Sequence, residues 1–232
     1  MLAGGGAVLV VVALLAVLYF TILPTSAPRK LAISATTSAS ASASPLASGQ
    51  AAGSWSIAKN SVAGYRVREQ LASIGAPSDA VGRTSSITGG LTLAQTGNGY
   101  SVDAGTFTVD VSTLTSDRAQ RDRRIHSIGL QSDRYPTATF KLTSAIALPG
   151  TASNGQIVQV SAVGDLTIHG TTHNVTIPMT AKLSSDQIEV AGAITFPFSQ
   201  FGMTPPNIGN FVTVQNNATM EFLLFFQRAG GQ

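Results

Sequence analysis

A chain of 232 residues with 14 basic, 11 acidic and no cysteine side chains is long enough for one domain of ordinary size plus appendages. It has no disulfide framework, thiolate nucleophile or cysteine-held metal. Only 11% of its residues are charged, against about 25% in ordinary soluble domains. Its pI of 9.5 reflects a small excess over few charges rather than the dense basic face that nucleic acid requires.

The first charged residues are Arg29 and Lys30, and nothing charged follows them before Trp55. Residues 2–23 are an uncharged, largely aliphatic run of ~33 Å as a helix, enough to cross a hydrocarbon core of ~30 Å. This predicts an N-terminal transmembrane anchor at residues 1–24. A cleaved signal segment is the alternative, with Thr25-Ser26-Ala27 as a small-residue site, but signal cores usually run only about 7–15 residues. Residues 25–53, rich in Ala, Ser and Thr, read as a flexible linker, and residues 54–228 as the folded domain. The positive-inside rule, applied to Arg29 and Lys30, places that domain in the cytoplasm. A Ser/Thr-rich stalk points instead to the extracytoplasmic side, which is the localisation expected here, with secretion if the segment is cleaved.

After Trp55 the hydrophobic pattern has period two. Phe107, Val109 and Val111 alternate with Thr108, Asp110 and Ser112, and Ala138, Phe140 and Leu142 with Thr139, Lys141 and Thr143. Val175, Ile177, Met179, Ala181 and Leu183 repeat the pattern, as do Ile188, Val190 and Ile194. Such segments bury one face and wet the other, as antiparallel strands do. Strands are expected at 54–59, 63–69, 85–94, 100–111, 137–147, 156–168, 171–183, 187–196 and 219–227, with turn signals such as Ser153-Asn154-Gly155 and His169-Gly170 between them. One short helix is predicted from Asp117 to His126, capped by Ser116 or Asp117. A chain with this many antiparallel strands hides its edges completely only by closing into a barrel.

Three stretches carry a resemblance. Arg121-Asp122-Arg123-Arg124-Ile125-His126-Ser127, followed by Tyr135-Pro136-Thr137-Ala138-Thr139-Phe140-Lys141, is similar to a signature of the YceI-like family. Asp165-Leu166-Thr167-Ile168-His169-Gly170-Thr171-Thr172 resembles that family's hairpin, and Trp55-Ser56-Ile57 and Gly105-Thr106-Phe107-Thr108-Val109-Asp110 fit in position. The resemblance covers Trp55 to Gln227. It implies an all-β fold, a closed antiparallel eight-stranded lipocalin-like barrel, usually exported. It also implies a lumen holding an isoprenoid-type lipid such as a polyprenyl compound or quinone, with no catalysis and no cofactor beyond that lipid. The chain departs from the family at Arg124, where members often have His, and in its Pro205-Pro206-Asn207 insertion.

Alternation selects Tyr65, Val67, Phe107, Val109, Phe140, Leu142, Leu166, Ile168, Ile177, Met179 and Ile194 as candidate lumen residues. It does not distinguish a hollow barrel from a solid one, because an eight-stranded interior suits either. A solid core would make the domain a cell-envelope structural or interaction module. Phe198, Phe201 and Met203 are candidates for a plug or gate at the barrel mouth, or else tuck into the core. Arg118, Arg123 and Arg124 are candidates for an anionic head group, whereas Arg121 and Asp122 read as structural. His169 and His173 have a spacing that suits a metal on a helix, but they straddle a predicted hairpin, so no metal site is expected. The catalytic motifs of hydrolases, nucleotide-binding enzymes and metalloproteases are missing, so the chain reads as a binder rather than an enzyme. The expected partners are an amphiphilic isoprenoid lipid and, through the N-terminal helix, the membrane.

Overall fold

The computed structural model describes residues 27–34, 50–71, 77–97, 99–206 and 212–229. The apolar run at 2–23 and most of the linker lie outside them. Among the described residues, no helix is long and apolar enough to cross a membrane.

Among the described residues, twelve strands form one antiparallel sheet: β1 (Gly53–Ile57), β2 (Val62–Leu71), β3 (Pro77–Thr84), β4 (Ile87–Thr96), β5 (Gly99–Asp110), β6 (Thr137–Leu142), β7 (Ile146–Leu148), β8 (Val158–Ile168), β9 (Thr171–Leu183), β10 (Ile188–Phe196), β11 (Val212–Val214) and β12 (Ala218–Arg228). The order β1-β4-β5-β6-β8-β9-β10-β12 closes into an eight-stranded barrel because β12 also pairs with β1, Trp55 opposite Arg228. The remaining strands extend this ring. β2 pairs with β12 and β3, β7 continues β6 along β5, and β11 continues β12 along β2. Closure leaves no long unpaired edge in the ring, which is what the alternation of half-buried strands requires.

Three local features differ from the sequence reading. The segment read as one strand at 137–147 is broken at 143–145, where Thr143 N donates to Val163 O at 2.9 Å and the chain shifts over to form β7. β3 is absent from the sequence reading because its inward positions, opposite Ala63, Tyr65 and Val67, are Thr84, Gly82 and Ala80. None is large enough to show a hydrophobic period; Tyr65 fills the space, and a Cβ on Gly82 would lie 2.2 Å from its ring. A bulge at Thr92/Leu93 changes which residues of β5 face inward, so that Val102 and Phe107, of opposite parity, share one face.

The helix is shorter than predicted. α1 runs Ala119–Arg124 and loosens into a π-type turn at Ile125–Gly129. Neither Ser116 nor Asp117 caps it directly, since the N-cap position is Arg118. Asp122 reaches back instead and accepts from Ser116 N at 2.9 Å and from Ser116 Oγ at 2.6 Å.

The barrel has two distinct ends. At the helix end sit α1, the β8–β9 hairpin and a short 3-10 turn at Phe198–Phe201. At the other, the turn end, are the β9–β10 turn and a second 3-10 turn at Gly150–Asn154. Each end has its own apolar cluster, around Leu166, Phe196 and Phe201 at the helix end and around Trp55, Leu93 and Phe226 at the turn end.

Candidate functional site

Within the turn-end cluster the interior is hollow. A cavity of about 130 Å³ runs through the turn-end part of the barrel. Its wall draws on β2, β4 to β10 and β12 together with Ala152 of the 3-10 turn, and the described residues expose no polar atom to it. Among the described residues on the wall, Thr139 and Lys182 are the only ones that are not apolar.

The burial pattern gives the same answer from the side chains. Ile168 and Phe196, off the cavity wall, are each 5% exposed, as packed core residues are. Phe107, Phe140, Leu142, Val160 and Met179 also point inward, yet they are only half-buried. Protein interiors pack as densely as organic crystals, so inward residues that stay accessible line a void. The solid-barrel alternative required an interior closed by its own side chains, and this one is open.

Of the positions selected by alternation, Phe107, Val109, Phe140, Leu142, Leu166, Ile177 and Met179 are on the cavity wall. Tyr65, Val67, Ile168 and Ile194 are not; they pack into the helix-end cluster. Period two identifies the inward face of a strand but not the height along the bore at which packing stops. Burial also holds the Tyr65 phenol protonated, well above its ordinary range. The alternating run Met220, Phe222, Leu224 and Phe226 lines the cavity as well. None of these was selected as a site residue, because the outward positions Leu223 and Phe225 are apolar too and mask the period of two.

Phe198, Phe201 and Met203 are buried at the helix end, with Phe201 wholly so. They close the bore from within and do not lie exposed at a mouth. Two histidines and a tyrosine hold this plug. His169 Nδ1 donates to Phe201 O at 3.2 Å, and the His173 ring meets the Phe201 ring edge-on at 5.2 Å. Tyr135 packs 4.4 Å from the His169 ring and against Gly170. His169 and Gly170 have φ of 54° and 73°, the pair of positive values that a two-residue type I′ hairpin needs. The Tyr135-Pro136 and His169-Gly170 motifs therefore meet in space at one joint. Among the described residues, no group of His, Asp and Glu is placed to hold a metal ion.

The arginines fall outside the cavity. Arg118 lies 3.8 Å from Asp117, and Arg123 and Arg124 are exposed on α1; none of the three reaches the wall. Arg121 is structural. It pairs with Glu69 of β2 at 2.6 Å and with Asp117, fastening α1 to the barrel rim. Glu69 was not singled out by sequence reasoning, because the contact joins residues 52 apart.

An antiparallel eight-stranded barrel enclosing an apolar cavity defines the class of this protein as a hollow all-β barrel. The YceI-like domain model matches residues 55–225, and the chain belongs to that family. A UPF0312 protein of Vibrio cholerae serotype O1 is 39% identical over 70 residues, which is 30% of this chain and 33% of the relative. A UPF0312 protein of Vibrio parahaemolyticus serotype O3:K6 is 37% identical over the same length. The match spans about a third of the length of these curated relatives. Among solved structures, a polyisoprenoid binding domain from Saccharophagus degradans, implicated in plant cell wall breakdown, superposes with a TM-score of 0.58 at 14% identity. The match covers 77% of this chain and 99% of that one. Burkholderia cenocepacia BcnA superposes with a TM-score of 0.50 at 18% identity, over 69% of this chain and 95% of its own. At these identities the superpositions speak for the fold.

Proposed function

We propose that the domain binds the apolar chain of an isoprenoid-type lipid, a polyprenyl compound or a quinone, in this cavity, and sequesters or carries it without chemical change. The observation that carries the reading is the apolar void itself. An empty apolar cavity gains most from a hydrocarbon ligand, since each buried CH₂ contributes ~0.8 kcal/mol. Ten such groups supply ~8 kcal/mol gross, which is the micromolar range before ordering costs are subtracted. A wall without exposed polar atoms favours a hydrocarbon tail over a polar metabolite. The structural neighbour described as a polyisoprenoid binding domain supports the same ligand class.

The N-terminal apolar run supports a membrane anchor, and the Ser/Thr-rich stalk supports a barrel on the extracytoplasmic side. Such a protein works where its ligand is dissolved. The test is lipid extraction of the full-length protein purified from its native host, followed by mass spectrometry. An isoprenoid lipid at near-stoichiometric amount is expected. Repeated recovery of the folded protein without any lipid, together with failure to take up a polyprenol in vitro, overturns the reading.

A further inference from the structure

The outer wall of the barrel carries a buried charge cluster. Arg66 of β2 and Arg83 of β3 converge on Glu221 of β12 at 3.3 and 3.0 Å. Glu221 alternates with Met220 and Phe222, which line the cavity, so its side chain leaves the opposite, outer face. A carboxylate there is ordinarily in water, yet Glu221 is 2% exposed. Part of the cover is the chain's own segment at 28–33. The Arg66 guanidinium donates to Pro28 O at 2.8 Å, and that of Arg83 donates to Arg29 O. Farther along, Ile33 is buried and Leu31 half-buried, while Arg29 and Lys30 remain exposed. The segment is thus held at its start by two charge-assisted hydrogen bonds, and at its end Ile33 is buried.

We propose that residues 28–33 are a strap that holds the β2–β3–β12 wall beside the bilayer, resting on the reading of residues 2–23 as a membrane anchor. Chain length carries this. From Leu23 to Pro28 a fully extended chain reaches only about 18 Å. An undocked linker from 24 to 53 spans roughly 30 Å on average, and about 100 Å at full extension. With the strap seated, the long Ala/Ser/Thr stretch sets no distance to the membrane, and one particular face of the barrel stays at the lipid surface. Uptake and release of a membrane-dissolved ligand then take place next to the bilayer rather than on a long leash.

The test uses the full-length chain in its native membranes. Arg29 and Lys30 are the only tryptic sites before Lys59, so one cut at either frees the barrel. The strap predicts slow release by limiting trypsin. It also predicts release at least tenfold faster after Ile33→Asp, or after replacement of residues 31–34 by Gly and Ser, both of which keep Arg66, Arg83 and Glu221. The chain has no cysteine, so Gln70→Cys on β2 accepts a single dye. Its energy transfer to acceptor-labelled lipid is expected to fall in either strap variant. Membrane-bound protein that is cut equally fast in all three forms, with unchanged energy transfer, overturns the strap alone. Protein found in the soluble fraction before any protease is added overturns the anchor reading, and the bilayer distance with it.

Discussion

Asp79 shows how the outer-wall arginines act on a single group. Its hydrogen bond from Arg68, at 2.8 Å, and a second from Arg66, at 3.2 Å, hold the carboxyl below its ordinary pKa of 3.8 against the opposing effect of burial. A carboxyl whose pKa is depressed on folding contributes stability that is complete above the unfolded value and is lost as pH falls through the folded one. Asp79→Asn is therefore expected to destabilise the protein at pH 7, with the gap to wild type narrowing at about pH 3. Urea midpoints of both proteins at the two pH values check this, and a gap that stays constant with pH contradicts it. Glycines act at the same scale by absence. A Cβ on Gly164 would lie 2.4 Å from the Phe140 ring, and one on Gly192 would lie 2.7 Å from that of Phe222. These bare positions on β8 and β10 let two aromatic rings lie across the bore.

At the level of elements, the 3-10 turn at Phe198–Phe201 is more than a connection from β10 onward. Phe201 has no exposed surface and meets Phe196 at 4.7 Å between ring centroids as well as the two histidines. Truncating it leaves a void that neighbours braced by β8 and β9 fill poorly. Phe201→Ala is expected to cost about 3–5 kcal/mol, read from the denaturation midpoint. Faster hydrogen exchange should be concentrated in residues 198–203. A loss below about 1 kcal/mol indicates a loosely seated turn rather than a plug. The α1 segment contrasts with it. With six residues it is too short to be stable alone, and the Arg121–Glu69 pair and the Asp122–Ser116 bonds tie it to the rim.

For the whole molecule, the decisive property is that packing fills the bore at the helix end and leaves an apolar cavity in the turn-end part. Two substitutions to Trp separate these regions. Leu142 is half-buried at the cavity wall, whereas Ile168 is 5% exposed and packed in the helix-end cluster, off that wall. Leu142→Trp has open volume to enter. It is expected to weaken polyprenol uptake at least tenfold in a fluorescence competition assay while leaving the melting temperature within a few degrees of wild type. Ile168→Trp overfills a packed site and is expected to destabilise by about 1–3 kcal/mol. If Leu142→Trp destabilises as much as Ile168→Trp, the interior is solid in solution.

Strand positions, the antiparallel class and the family signature could be read along the chain, because period two and turn residues such as His169-Gly170 are properties of neighbours in sequence. The inward face of β5, β6 and β9 was legible for the same reason, and all six selected positions on those strands lie on the cavity wall. What alternation alone did not reveal is depth. Tyr65 and Phe107 look alike in sequence, yet one packs against Gly82 at the helix end and the other lines a void. Cavity volume, the inward burial of the Phe198–Met203 loop and the cluster of Arg66, Arg83 and Glu221 all depend on side chains that meet across strands, from positions as far as 155 residues apart. Local pattern determines which way a side chain points. Only the closed sheet decides what, if anything, is there to meet it.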